Sequence, residues 1–167
     1  MITPNYEKAI KEAGLLLSKF DITEPVIPVD EITQKEGIII KYFRPNRDTE
    51  LSGISGFYDS KSNVIYVNAD DTPTRQSFTI AHELGHFKLG HKPNEFDVLY
   101  RFATTIDKNP IEQEANCFAA NLLVPEKMLE EVMKKYKLTE NDQLLADIFG
   151  VSLEVIKYRL KWIKINC

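Results

Sequence analysis

The amino-acid sequence predicts an α+β fold, a small antiparallel sheet followed by a helical C-terminal half. Three observations predict it. The runs IIIKYF, SGISGFYD and NVIYVNA, rich in β-branched and aromatic residues, lie close together between residues 38 and 69. Before and after them, apolar residues recur at helical spacing. The helical stretches are bounded by capping or breaking residues such as Asn109, Pro125 and Gly150.

Each element has a local cause. TPNYEKAIKEAGLLLSKF predicts a first helix, with Thr3 as cap, Pro4 in the first turn and Tyr6, Ile10, Ala13, Leu17 and Phe20 on one stripe. PVDEITQKEG predicts a short second helix stopped by Gly37. Ile38 to Phe43 forms a strand, and two more strands flank the turn SKSN. A helix is expected from Thr74 to Leu89, ending at Gly90. After a polar loop, NPIEQEANCFAANLLVP predicts a helix closed by Pro125. EKMLEEVMKKY, ENDQLLADIF and SLEVIKYRLKWIK predict three more. A single domain is expected over residues 1–167, with N-terminal helices in 1–36, the sheet and active-site helices in 37–135, and a helix-turn-helix-like tail in 136–167 packed on the rest.

Composition narrows the function. Of 167 residues, 43% are hydrophobic and 28% charged, a globular profile. The net charge of -4 argues against a protein that coats nucleic acid, which needs a surplus of Lys and Arg. The two cysteines, Cys117 and Cys167, do not make a disulfide framework, and Cys117 in CFAANLLV reads as a small core residue. The N-terminal stretch lacks the layout of a signal peptide, and no apolar run is long enough to span a membrane. A cytoplasmic protein is expected, with no membrane partner.

The chemistry concentrates in FTIAHELGHFKLGH, which holds all three histidines. On a helix, His82 and His86 project from nearly the same face, so two imidazoles can meet one metal ion. Glu83 follows the first of them. This is the H-E-x-x-H layout: two zinc ligands and a carboxylate that takes a proton from zinc-activated water. The rival reading is an amphipathic helix that happens to be rich in histidine. Against it stand the apolar flanks Phe78, Ile80, Ala81 and Leu84, since buried imidazoles need partners. Gly85 also costs about 1 kcal/mol inside a helix, which points to close approach by another backbone.

A catalytic zinc takes three protein ligands. His91 would fall on the opposite face unless the chain turned back at Gly90, and Leu89 and Lys92 stand where the metzincin spacing needs Gly and His. That leaves His91 as a surface residue or one that supports a ligand. Glu112 shares a helical face with Asn116 and Ala119, and the small Ala115 and Ala119 allow close packing against Gly85. Glu112 can then reach the metal while Asn116 holds the back nitrogen of a ligand histidine. Two alternatives stay open: Glu114 as the ligand, and Glu112 as no more than the third member of a capping box with Asn109 and Pro110.

TIAHELGHFKLGH followed by EQEANCFAANLLVP resembles the ImmA/IrrE family of bacterial metallopeptidases. The resemblance implies a zincin-like metallopeptidase domain and a zinc-dependent endopeptidase with one zinc ion per chain. It implies His82, His86 and Glu112 as ligands and Glu83 as general base. Glu112 to Ala115 matches the Glu-x-x-Ala pattern of related zincins, which favours Glu112 over Glu114. Asn116 departs from the Asp that many such patterns carry, so the histidine it supports is a less basic ligand. The resemblance also implies a protein substrate, a DNA-binding repressor, and with it an anti-repressor role in transcription regulation.

LLADIFGVSLEVIKYRLKWIK supports a reading of another class, a non-catalytic DNA-binding or protein-binding regulator. Ala146 and Gly150 have helix-turn-helix spacing, Ser152 can cap the second helix, and Ile156 can anchor it. Lys157, Arg159, Lys161 and Lys164 against Glu154 give residues 151–167 a net +3, leaving -7 elsewhere. Tyr158, Leu160, Trp162 and Ile165 favour packing instead, so DNA contact is not expected. A substrate peptide is expected to add as a strand along SGISGFYD, where Gly53, Ser55 and Gly56 leave backbone accessible. A tyrosine, arginine or histidine is expected to stabilise the oxyanion, with no single candidate.

Overall fold

α1 (Tyr6–Lys19) begins later than its sequence predicts, because Asn5 and not Thr3 supplies the cap, accepting from the Lys8 amide at 2.9 Å. The computed structural model describes residues 3–46, 53–91, 109–138 and 141–166. The polar loop after His91, Ser52, Cys167 and the side chain of Ile165 lie outside the described residues. Ala9, Ala13 and Leu16 form the buried line of α1, while Ile10, expected inside, is 37% exposed. The two alanines let α1 lie close on α4 (Pro110–Leu123), and that approach turns Ile10 outward.

α2 (Val29–Lys35) leads into a turn at Gly37, which takes φ +85° at no steric cost. The sheet follows as β1 (Ile39–Phe43), β2 (Gly56–Asp59) and β3 (Val64–Asn68), in the order β1-β3-β2. The expectation of an all-antiparallel sheet needs correction. β2 and β3 form the antiparallel hairpin, with Gly56 opposite Val67, but β1 runs parallel to β3, with Phe43 opposite Asn68. The sheet is mixed. β2 starts at the end of β3 where β1 finishes, but on its other side. β3 is therefore central, which explains its near-continuous apolar sequence.

Glu36, at the end of α2, ties three helices together. It accepts from Lys19 of α1 and, at 2.9 Å, from Lys88 of α3 (Pro73–Leu89). Burial alone would raise its carboxyl, but the hydrogen bonds and charges of Lys19 and Lys88 hold it below its ordinary value. A carboxyl lowered on folding stabilises the protein above its unfolded pKa, and that contribution fades as pH falls through the folded one. Glu36→Gln is expected to cost about 1–2 kcal/mol at neutral pH, with the gap to wild type closing in acid. Urea denaturation at several pH values checks it.

α3 is capped by Thr72, and its start is set by Gln76, whose amide donates to the Asn68 and Asp71 carbonyls at 3.2 and 2.9 Å. Those bonds place α3 directly behind β3. α5 (Glu126–Tyr136), α6 (Asp142–Phe149) and α7 (Leu153–Asn166) complete the chain. Gly150 makes the α6–α7 turn at φ +64°, and Ala146 and Ile156 are buried between the helices. Trp162 meets the Tyr6 ring edge-on at 5.0 Å. Arg159, counted above among the basic residues of the tail, is not on the surface. It is 0% exposed, and its Nε donates to the Val124 carbonyl at 2.9 Å, closing the end of α4. Among the described residues, no helix is long and apolar enough to cross a membrane.

Candidate metal centre

α3 and α4 cross where their side chains are smallest. A Cβ on Gly85 would lie 2.9 Å from the Phe118 ring and 3.3 Å from the Ala115 carbonyl oxygen. Phe118 and Ala115 are both fully buried and have no room to retreat. Gly85→Ala therefore sets a helix-propensity gain of about 1 kcal/mol against an overpacking cost of about 1–3 kcal/mol. A lowered Tm and weakened metal binding are expected together, because the same shift separates α3 from Glu112. Thermal melts with and without added zinc check this.

The close crossing brings three buried side chains to one point. His82 Nε2 lies 3.1 Å from Glu112 Oε2, His86 Nε2 lies 3.3 Å from Glu112 Oε1, and the two Nε2 atoms are 3.0 Å apart. The three can hold a metal ion. Burial would raise the Glu112 carboxyl, but the proximity of both histidine rings outweighs it and holds it far below the carboxylate range. Its carboxylate is engaged here and not with the start of its own helix. Asn109 caps α4, accepting from the Ile111 amide at 3.1 Å.

The donor set fits zinc. Bonds of 2.0–2.1 Å in a tetrahedron put neighbouring donor atoms about 3.3 Å apart, close to the 3.0–3.3 Å found between these atoms. Two imidazoles and one carboxylate also suit a borderline-soft ion better than Mg²⁺ or Ca²⁺.

The hydrogen bonds behind the histidines fix their tautomers. Asn116 Oδ1 lies 2.9 Å from His82 Nδ1, so that nitrogen donates and Nε2 offers its lone pair to the centre. His86 has a longer support. The chain reverses at Gly90, at φ +72°, and brings His91 Nδ1 to 3.0 Å from His86 Nδ1. His91 Nε2 is 2.8 Å from Glu114 Oε2, and Glu114 Oε1 accepts from the Asn5 amide at 2.7 Å. A carboxylate only accepts, so His91 Nε2–H must donate to Glu114. A neutral His91 then accepts at Nδ1 from His86, whose Nε2 lone pair faces the centre. Burial, helped by His86 and Lys8, lowers the His91 pKa despite Glu114, consistent with a neutral ring. Glu114, the alternative ligand by sequence, is turned to the far side and holds His91.

Glu83 is 1% exposed and lines a cavity of about 210 Å³ with His82, Glu112 and Asn116. Gly53, Ser55 and Gly56, leading into the edge strand β2, line the same cavity. A side chain on Gly56 would overlap the Tyr66 carbonyl, so only glycine lets β2 sit this close to β3 and α3. Sequence reasoning missed Arg75. It also lines this cavity, and its Nε donates to Ser55 Oγ at 3.0 Å. The available signal was spacing: Arg75 is seven residues before His82, two turns along the same helical face.

This fold and the three-donor centre define a zincin-like metallopeptidase domain. The family model described as the IrrE N-terminal-like domain matches residues 42–161, and the chain belongs to that family. It is 30% identical to the Metallopeptidase ImmA of Bacillus subtilis over 106 residues, 64% of this chain and 61% of that protein. It is 34% identical to the Radiation response metalloprotease IrrE of Deinococcus radiodurans over 82 residues, 48% of this chain and 25% of that one. The chain thus spans less than two thirds of either relative. Among solved structures, a Mycobacterium tuberculosis transcriptional regulator shares the fold, with a TM-score of 0.68 at 17% identity over 94% of this chain and 47% of the other.

Proposed function

We propose that the protein is a zinc-dependent endopeptidase that cuts a specific regulatory protein, a DNA-binding repressor, and so relieves repression. The convergence of His82, His86 and Glu112 beside the buried Glu83 carries this reading. His82, His86 and Glu112 would hold the zinc, which when bound would supply Lewis-acid chemistry, lowering the pKa of water to near 7. Glu83 accepts the proton of the attacking water and returns it to the leaving amine. Asn116, and Glu114 through His91, keep the two histidines oriented. The open edge of β2 receives the peptide as an added strand, and Arg75 offers a positive charge to the developing oxyanion.

Family membership and the relative named a metallopeptidase support a protein substrate, and the sequence resemblance to the ImmA/IrrE family motivates the choice of a repressor. A repressor substrate places the enzyme in the cytoplasm. The acidic body of the chain also favours a basic partner. The alternative, a non-catalytic DNA-binding regulator acting through α6 and α7, is weakened by the burial of Arg159. A proteome-wide cleavage assay with zinc-loaded chain tests the proposal. One or a few cut proteins, including a repressor, are expected. Comparable cutting of casein-like substrates would refute the specificity, and no cutting would refute the activity.

A further inference from the structure

A second and larger cavity, about 670 Å³, opens beside the candidate metal centre. The two cavities share Arg75, Phe78 and Asn116 and so adjoin one another. Asn116 also holds His82, which puts the entrance within one side chain of a candidate ligand. The far wall comes from the first two turns of α7, through Glu154, Val155 and Tyr158. In the sequence this stretch reads as the second helix of a helix-turn-helix. In the fold it faces the cleft.

We propose that this cavity receives a large uncharged side chain of the peptide substrate, next to the bond that is cut, and that α7 sets which side chain fits. The occupant rests on the peptidase reading; the shape and lining do not. Phe78, Ala120 and Val155 contribute apolar surface, with Ala120 and Val155 themselves buried. Arg75 and Glu154 have opposite charges, so the pocket has no net preference for an acidic or basic group. The Tyr158 phenol, pushed up to about 12 by burial and by the nearby Cys117 and Tyr6, remains a neutral donor at any working pH. The volume is three times that of the cavity at the metal centre, enough for a bulky side chain and the backbone that carries it.

The test separates binding from cutting. A library of random peptides is panned on zinc-loaded Glu83→Gln chain, and the recovered sequences are compared with those from Ala120→Phe and Tyr158→Ala in the same background. The first variant fills the cavity and the second opens its wall. Tyr158 is 38% exposed, so its loss leaves the core intact even if Ala120→Phe does not fold. Recovered peptides are expected to share one large apolar residue at a fixed position. Ala120→Phe should shift that position to small residues, and Tyr158→Ala should change the preference between Phe and Ala by about tenfold or more. A recovered set with no such position, or a preference that Tyr158→Ala leaves unchanged, overturns the assignment. Recovered peptides that zinc-loaded wild type leaves uncut would support the pocket and count against the hydrolytic reading.

Discussion

Glu83→Gln is expected to keep its zinc and to lose between about two and four orders of magnitude in peptide hydrolysis, the usual worth of a general base. The amide has the size of the carboxylate, so a side chain that is 1% exposed is replaced without a cavity or a clash. None of the three candidate ligands is altered, and the supports at Asn116 and His91 are untouched. What is lost is the ability to accept a proton. A rate loss of this size corresponds to about 3–5 kcal/mol of transition-state stabilisation. The check is a pair of measurements on one preparation: zinc per chain, and kcat/KM on a cleaved substrate. Undiminished cleavage would remove Glu83 from the role. Loss of zinc along with activity would mean that the residue serves the metal instead.

Glu112→Ala is expected to weaken zinc binding more than any single change behind the ligands. Glu112 faces both histidine Nε2 atoms within 3.3 Å, so its removal takes away one of three donors and the only negative charge among them. Residues that orient ligands contribute about 10- to 100-fold in affinity, and His91→Ala and Glu114→Ala should fall in that range. Competition against a chelator of known affinity ranks the three. If His91→Ala were the most damaging, the ring behind His86 would have to move into the ligand position, and Glu112 would be demoted.

The convergence of Glu112 with His82 and His86 is legible in the sequence because it depends on local periodicities. Four residues separate the histidines on α3, four separate Glu112 from Asn116 on α4, and Gly85 with Ala115 announces a close crossing. The C-terminal end of α3 is legible too, since Gly90 acts within one turn, whereas the helix starts at Pro73 behind a Thr72 cap and not at Thr74. What is not legible depends on contacts between distant segments. Nothing local says that β3 lies between β1 and β2, so the parallel pairing is missed. Arg159 looks like a surface cation until the end of α4 supplies a carbonyl for it. His91 looks turned away until the left-handed residue at 90 folds it back against His86. Arg75 is visible only once the loop before β2 gives it a partner in Ser55.

The N-terminal residues hold the back of the centre. The Asn5 amide binds Glu114, Lys8 Nζ donates to the Leu89 carbonyl at 2.7 Å, and Tyr6 Oη donates to Gln113 at 3.3 Å. All three precede residue 42, where the family match begins. The segment that defines membership and the segment whose contacts brace the centre are therefore different. A chain trimmed to the matched residues would keep every candidate ligand yet lose the α1 contacts to Gln113, Glu114 and Leu89 behind the centre. Modularity in this molecule follows the packing of α1 against α4, so grafting or swapping the catalytic segment has to carry the first helix with it.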